Sequence, residues 1–247
     1  MTKPFLLYGL TGLPSAGKDT AADILVSHCG FVKVAFADAL YAEVAEAFGV
    51  TIPSLQHRDL KETPTPALAL SRCNSDAFAG RIIVLHQKSG NPVNPNEPRS
   101  PRTILRWWAN EYRRCQSEQY WVSKASARIS YYMRERLHTR FVIPDCRFHN
   151  QVEMVRQGFG GQIWQITRPG VVWDGHEAET TGDVFKPEHT IDNSGDIPHL
   201  QVLTIGAWLM HDTGIKAGDL VRMGIAHVDQ AGQEWHQATP THTGATS

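Results

Sequence analysis

The sequence predicts an α/β protein built on a parallel β-sheet. An apolar run at residues 5–8 leads into a glycine-flanked loop, and a helical pattern follows at residues 21–26. A second apolar run at residues 31–36 is again followed by a helical pattern. Strands that alternate with helices in this way are typical of parallel sheets, because each helix returns the chain to the starting edge of the sheet.

The composition is that of a globular protein without a strong overall charge. The chain has 247 residues, of which 41% are hydrophobic, a formal net charge of −1 and a pI near 6.9. This balance gives no general attraction to nucleic acid or to an anionic membrane, so a nucleic-acid partner is not expected. The length fits one α/β domain with insertions, or at most two small domains.

The cysteines and the apolar runs indicate a cytoplasmic protein. The four cysteines contain no C-x-x-C pair, which predicts neither a zinc site nor a dense disulfide framework. No apolar run approaches the ~18 residues that a membrane span needs. The first strand begins so early that no signal peptide is expected before it.

The loop after the first strand contains the strongest functional motif of the chain. Its sequence is Gly12-Leu13-Pro14-Ser15-Ala16-Gly17-Lys18-Asp19-Thr20, which matches the pattern G-x-x-x-x-G-K. Glycines let successive backbone N–H groups surround a phosphate, while the helix dipole and Lys18 add positive charge. We therefore predict that this loop binds the phosphates of a nucleotide.

One position departs from the usual form of this motif. Asp19 follows the lysine where serine or threonine is usual, and Thr20 comes next. Either oxygen side chain is a candidate ligand for magnesium (Mg²⁺). A structural role for Asp19 is equally open, because an acidic residue in the first turn of a helix is stabilising by itself.

The element pattern continues with one interruption. Gly30 and Gly49 are expected to end the first two helices, and Asp38 is expected to cap the second. Seven prolines interrupt residues 50–101, where we predict one strand, at residues 81–87. Beyond them we predict helices at about 100–113, 120–137, 150–157 and 197–210, and strands at 140–144, 162–167 and 189–191.

Polar residues follow the later predicted strands, at the edge where parallel sheets bind ligands. Asp145 ends one strand, and Arg147 lies two residues further on. Arg168 begins a polar loop and has the placement of a lid arginine that covers ATP. Asn193 follows the last strand and has the placement of a base-contacting loop. For each of them, ordinary turn chemistry is the alternative.

An arginine cluster is the candidate site for an anionic acceptor. Arginine binds phosphate in a bidentate manner, and Arg102 is the best candidate because it lies at a predicted helix start. A solvated helix face is the alternative for each arginine. Nearby tryptophans can stack on a base, although helical spacing favours a place in the core. The arginines are Arg99, Arg102, Arg106, Arg113 and Arg114, and the tryptophans are Trp107, Trp108 and Trp121.

Several short motifs together resemble the deoxynucleoside monophosphate kinases of bacteriophages and prophages. The resemblance spans roughly residues 4–210, and its most specific parts are G-K-D-T and D-x-R-F. Residues 63–100 and the tail beyond residue 211 are peculiar to this chain. The motifs lie at residues 17–22, 36–40, 101–102, 120–122, 145–150, 168–170 and 191–193.

The resemblance implies a three-layer P-loop kinase fold with a five-stranded parallel sheet. The kinase domain would cover residues 1–212, with a helical substrate-binding insertion at about 50–138 and a lid at about 168–188. Residues 213–247 would form a C-terminal extension. Its end, residues 233–247, is small and polar with no periodicity, and from this composition we expect it to be disordered. The implied reaction transfers a phosphoryl group from ATP to a deoxynucleoside monophosphate, with Mg²⁺ as cofactor and a homodimer as a possible assembly.

The resemblance also assigns roles to the candidate residues. The implied catalytic residues are Lys18, Asp145, Arg147 and Arg168. ATP would contact Gly12, Ser15, Ala16, Gly17, Lys18, Asp19, Thr20 and Asn193. The acceptor would contact Asp38, Arg102, Trp121 and Arg147, and the metal would contact Asp19, Thr20 and Asp145. Two other hypotheses stay open: a P-loop kinase for another acceptor, such as a modified base in DNA or a coenzyme precursor, and a non-catalytic nucleotide-binding switch.

Overall fold

The computed structural model describes residues 5–171, 185–215, 227–228 and 235–236. The chain divides into two compact units. The first, which we call the sheet unit, consists of Met1–Val34 and Tyr132–Ser247. The second, which we call the helical unit, is Ala35–Tyr131. The helical unit overlaps the expected insertion at about residues 50–138, but it begins at Ala35 and ends at Tyr131.

The sheet unit contains five parallel strands in the order β2-β3-β1-β4-β5. This confirms the predicted α/β class with a five-stranded parallel sheet. The central strand β1 pairs with β3 on one side and with β4 on the other. The strands are β1 Leu6–Thr11, β2 Val32–Lys33, β3 Arg140–Ile143, β4 Gln162–Thr167 and β5 His189–Asp192.

Helices cover both faces of the sheet. Successive residues of the central strand β1 face opposite sides, and both sides are buried. Tyr8 and Leu10 share one buried cluster with Leu25 and Leu200. On the other face, a Cβ atom at Gly9 would lie 3.2 Å from the Val155 side chain. The first face is covered by α1 (Lys18–Cys29) and α8 (Ile197–Thr213), and the second by α7 (His149–Glu153) with its π-helical continuation Met154–Gly158.

The helical unit is built around a buried aromatic cluster. The Phe78 ring lies 4.5 Å from the Trp108 ring and 5.5 Å from the Tyr112 ring, measured between centroids. Its helices are α2 (Ala37–Phe48), α3 (Ile52–Gln56), α4 (Asp76–Lys88), α5 (Pro101–Arg106) with the π-helical continuation Trp107–Arg114, and α6 (Tyr120–Arg134), whose last residues belong to the sheet unit.

The predicted strand at residues 81–87 was wrong, because this segment lies inside α4. Ser75 caps the helix by accepting a hydrogen bond from the backbone N–H of Phe78. Phe78 and Ile82, one turn apart, are fully buried, whereas Val84 is 49% exposed. A short apolar run is compatible with a strand or with a buried helix. Here Phe78 and Ile82 form one face of a helix and pack in the core, so the segment is helical.

Smaller differences concern element ends. β2 has two residues instead of the predicted six, and α6 ends at Arg134 instead of Leu137. Phe36 occupies the cap position of α2, while Asp38 lies in the first turn and its Oδ2 accepts a hydrogen bond from the N–H of Ala35 (3.0 Å). Ser100 and Asp196 cap α5 and α8, each by accepting a hydrogen bond from a backbone N–H of the first turn.

The C-terminal extension is described in part. β6 (His227–Val228) and β7 (Trp235–His236) form an antiparallel pair, so part of the segment expected to be disordered forms a strand. The rest of the predicted disordered end lies outside the described residues. Within the part of the chain that the structure describes, no helix is long and apolar enough to span a membrane.

Candidate functional site

The loop of the G-x-x-x-x-G-K motif, residues 12–18, which we call the phosphate loop, begins where the central strand β1 ends, at the carboxyl edge of the sheet. Its two glycines have backbone conformations that favour glycine, with φ of 135° at Gly12 and 106° at Gly17. A Cβ atom at Gly12 would lie 2.2 Å from the Ile166 carbonyl oxygen. The loop geometry therefore requires glycine for both backbone conformation and space.

Lys18 places its ammonium group inside this loop. It is the first residue of α1 and is only 8% exposed. Its Nζ donates hydrogen bonds to the carbonyl oxygens of Gly12 (2.8 Å) and Leu13 (2.7 Å). A buried cation, the N-terminus of a twelve-residue helix and a glycine-rich turn therefore meet at one place, which favours the binding of an anion.

Two oxygen-bearing side chains follow Lys18 in the first turn of α1. Asp19 is exposed and Thr20 is partly exposed. Both are hard ligands of the kind that Mg²⁺ prefers. Among the described residues, no three His, Cys, Asp or Glu side chains are grouped so that they could hold a metal ion. Magnesium at nucleotide sites commonly takes part of its coordination from phosphate oxygens.

The segment after β3 is attached to the end of β1, next to the phosphate loop. The N–H of Cys146 donates to the Leu10 carbonyl oxygen (3.1 Å), and its thiol lies 2.6 Å from the position of a Cβ at Gly9. Asp145, just before it, is therefore held at the carboxyl edge of the sheet. Burial, with a smaller effect of the Asp145 charge, raises the pKa of the Cys146 thiol well above its usual range, so this thiol stays protonated.

Gln151 fixes the turn that contains Arg147. Its side-chain oxygen accepts hydrogen bonds from the N–H groups of Arg147 (2.7 Å) and Phe148 (3.1 Å), and the residue is 7% exposed. Neither this residue nor Gly9 was predicted from the sequence. The available signals were a glutamine three residues after the cap position Phe148 and a glycine inside an apolar strand.

Arg168 and Asn193 follow the two strands on the other side of β1. Arg168 is exposed directly after β4, and most of the predicted lid beyond it, residues 172–184, lies outside the described residues. Asn193 follows β5 and is 5% exposed. Its Nδ2 donates a hydrogen bond to the Ala16 carbonyl oxygen (2.8 Å). The predicted base-contacting residue thus contacts the phosphate loop itself.

The remaining acceptor candidates lie in the helical unit. Asp38 Oδ2 accepts a hydrogen bond from Arg128 Nη1 (2.8 Å). Arg102 forms an ion pair with Glu62 and its side chain is 63% exposed. Trp121 is 8% exposed, so little of its ring surface is available for stacking on a base.

The predicted arginine cluster is largely paired with carboxylates. Apart from Arg102, Arg99 pairs with Glu97 (2.6 Å) and Arg113 with Glu43 (2.8 Å). These pairs reduce the excess positive charge that the sequence suggested. Of these three arginines, Arg102 has the most exposed side chain, which leaves it the most accessible to an acceptor.

Glu43 was missed by the sequence analysis, although it organises the helical unit. Its carboxylate accepts hydrogen bonds from Trp108 Nε1 (2.9 Å), Arg113 Nε (2.8 Å) and Tyr120 Oη (2.6 Å). Burial by itself raises the pKa of Glu43, but these three donors together hold it below its usual value. The donors lie 65 to 77 residues away in sequence, and no local motif indicates them.

The chain is similar in sequence to a viral protein and, distantly, to several solved structures. No protein-family model matches the chain. Over 178 residues the chain is 25% identical to a protein of Acanthamoeba polyphaga mimivirus named "Putative deoxynucleotide monophosphate kinase", covering 68% of this chain and 77% of that protein.

Two of the structural neighbours are TT1252 from Thermus thermophilus and a dephospho-CoA kinase from Campylobacter jejuni. The first is 15% identical, with a TM-score of 0.40, and covers 85% of this chain and 98% of its own. The second is 14% identical, with a TM-score of 0.41, and covers 84% of this chain and 98% of its own.

Proposed function

We propose that this protein is an ATP- and magnesium-dependent kinase that converts deoxynucleoside 5′-monophosphates to diphosphates. The supporting observation is the phosphate loop, in which Lys18 lies buried at the start of α1 with its ammonium group inside the loop. The similarity to the mimivirus protein, whose name gives this activity, supports the choice of acceptor.

On the donor side, backbone N–H groups of the loop would bind the ATP phosphates. Lys18 would stabilise the negative charge that develops on the transferred phosphoryl group, which is the main task of a protein in this chemistry. Arg168, exposed after β4, would add a second positive charge there. Asp19, Thr20 and Asp145 would hold Mg²⁺, which when bound neutralises phosphate charge.

On the acceptor side, arginines would bind the monophosphate. Arg147 lies in the turn fixed by Gln151, next to Asp145, which would orient the attacking acceptor phosphate or support the metal. In the helical unit, Arg102 would exchange its exposed partner Glu62 for the acceptor phosphate. Exposed ion pairs contribute little free energy, so this exchange costs little. Asp38 and Trp121 are the proposed contacts of the nucleoside.

The proposal is tested by ADP release from ATP in the presence of each of dGMP, dTMP, dCMP and dAMP. We expect turnover with at least one monophosphate, and no comparable ADP release without an acceptor. Protein that binds ATP but turns over none of the four would contradict the proposal. In that case, phosphorylation of DNA or of a coenzyme precursor would favour another acceptor, and ATP binding without any transfer would favour a nucleotide-dependent switch.

A further inference from the structure

We infer that Asn193 is a positioning residue that orients the phosphate loop through the Ala16–Gly17 peptide group. The inference rests on the proposed function, because it assigns Asn193 a task in binding nucleotide phosphates. It replaces the expectation that Asn193 contacts the base. It depends on the hydrogen bond from Asn193 Nδ2 to the Ala16 carbonyl oxygen, which joins residues 177 positions apart.

Both the side chain and the main chain of Asn193 are fixed. The backbone N–H donates to the Thr167 carbonyl oxygen (2.7 Å), which continues the pairing of β5 with β4. The side chain is buried, with the residue 5% exposed, and its Nδ2 lies 2.8 Å from the Ala16 oxygen. A buried amide that donates to a backbone carbonyl cannot be released without leaving polar groups unpaired, so the side chain is held in place.

Because a peptide group is planar, the hydrogen bond to the Ala16 oxygen also fixes the direction of the Gly17 N–H at the phosphate site. The Ala16–Gly17 peptide is trans, so its C=O and N–H bonds point in opposite directions. Because Asn193 holds the Ala16 oxygen, the Gly17 N–H is directed away from Asn193. This N–H belongs to the residue that caps α1, one of the helix-end donors that have no partner within the helix and that bind phosphate in such loops.

Close packing makes this orientation stiff. A Cβ at Gly17 would lie 2.4 Å from Asn193 Nδ2 and 3.6 Å from the Leu200 side chain on α8. α8 is itself attached to the sheet at its far end. Tyr8 Oη and His211 Nδ1 share a hydrogen bond of 2.6 Å, and Arg140 pairs with Asp212 at 2.8 Å. The helix that follows Asn193 therefore provides a fixed support behind the loop.

The test compares ATP with inorganic tripolyphosphate, a ligand that has phosphates but no base. We expect Asn193→Ala and the isosteric Asn193→Asp to weaken the binding of both ligands about tenfold or more, measured by calorimetry. The matched control is Asn74→Asp in the helical unit, where the Asn74 Nδ2 also donates to a backbone carbonyl, that of Glu46 (3.1 Å). This control should leave both affinities unchanged.

Two further measurements separate positioning from general stability. In the wild type, the Gly17 amide proton resonance should move downfield when tripolyphosphate binds, and this shift should be lost in Asn193→Asp. The KM for ATP should rise while the KM for the deoxynucleoside monophosphate stays the same. Because alanine leaves a cavity, Asn193→Asp and Asn193→Ser serve as the folded variants if Asn193→Ala does not fold.

The outcomes distinguish this inference from the proposed function. A wild type that binds neither ligand contradicts the phosphate site and thereby both proposals. A wild type that binds both, with folded Asn193 variants that bind both equally well, overturns only the inference. Variants that lose affinity for ATP but not for tripolyphosphate would show that Asn193 contacts the base, which also overturns it.

Discussion

At the scale of single residues, Lys18 is the side chain on which the proposed phosphoryl transfer would depend most. We expect Lys18→Ala to lower kcat about 100-fold or more, because it removes the positive charge that stabilises the transferred phosphoryl group. The measurement is steady-state kinetics with ATP and the preferred monophosphate, accompanied by circular dichroism to confirm that the variant is folded.

The control for Lys18 is Lys33→Ala. Lys33 is a lysine of the sheet unit whose ammonium pairs with Asp23 at the surface (2.5 Å). Its removal should leave kcat within twofold of wild type, since surface ion pairs contribute little. Equal losses of activity in both variants would mean that Lys18 has no special part in the reaction.

Gly12 tests whether the loop needs glycine for space. We expect Gly12→Ala to abolish ATP binding, because its Cβ would lie 2.2 Å from the Ile166 carbonyl oxygen at a φ of 135°. Gly90→Ala is the matched control, since Gly90 also has a positive φ, 78°, but no heavy atom lies within 4 Å of its Cβ position. ATP affinity and melting temperature should be measured for both, and a Gly12→Ala protein that binds ATP normally would contradict the loop geometry.

The local sequence singles out these loop residues as candidates, but it does not indicate the residues that support them. The motif identified Gly12, Gly17 and Lys18 because phosphate binding needs specific residue types at fixed spacing. It could not identify Asn193 as the partner of Ala16, because that contact depends on β5 lying next to β4. Residues that act through a fold are visible only after the fold is known.

At the scale of elements, Glu43 joins α2 to the segments that contain Trp108, Arg113 and Tyr120. We expect Glu43→Gln to lower the free energy of unfolding at pH 7 by about 2 kcal/mol, because a neutral amide accepts these hydrogen bonds less well than a carboxylate. Urea denaturation measures this value. The control is Glu46→Gln, an exposed position on the same helix, which should change little.

The same pair of variants gives a pH dependence with a definite sign. The pKa of Glu43 is lower in the folded protein than its ordinary value of 4.5. The stabilisation is therefore fully present above pH 4.5 and is lost as the pH falls through the folded pKa. The difference in unfolding free energy between wild type and Glu43→Gln should shrink in that acidic range. A difference that stays constant down to pH 3 would contradict the assignment.

The attachment of α8 to the sheet also depends on a buried charge. Asp212 is 7% exposed at its side chain and pairs with Arg140, which is 16% exposed. We expect Asp212→Ala to cost about 3 kcal/mol of unfolding free energy, because it leaves the Arg140 guanidinium without this partner. Asp23→Ala, which breaks an exposed pair with Lys33, should cost about 0.5 kcal/mol. Equal costs would show that burial does not strengthen the first pair.

Helices were predictable from the sequence where the spacing of apolar residues agreed with the residues that typically begin or end a helix. α1 ends at Gly30, which has a left-handed conformation, and α8 starts after its Asp196 cap. The prediction failed at residues 81–87. A continuous apolar run has neither helical nor strand periodicity, and the sequence does not show which residues Ile82 packs against. Tertiary packing, which a single sequence does not show, decided that element.

At the scale of the whole molecule, the chain combines a parallel sheet unit with a helical unit. The sheet unit was predictable, because a parallel sheet follows from alternating strands and helices and places its loops at one edge. The helical unit was less predictable, since its ion pairs and its aromatic cluster join residues that are far apart in the sequence. The sequence motif therefore defines the phosphate donor better than the acceptor.

The most direct test of the central claim is to follow the γ-phosphate of labelled ATP. The protein is incubated with labelled ATP, magnesium and each deoxynucleoside monophosphate, and the products are separated. The account predicts that label appears in a deoxynucleoside diphosphate with wild type and is almost absent with Lys18→Ala. Label that appears only in inorganic phosphate, or in no product although ATP binds, would contradict it.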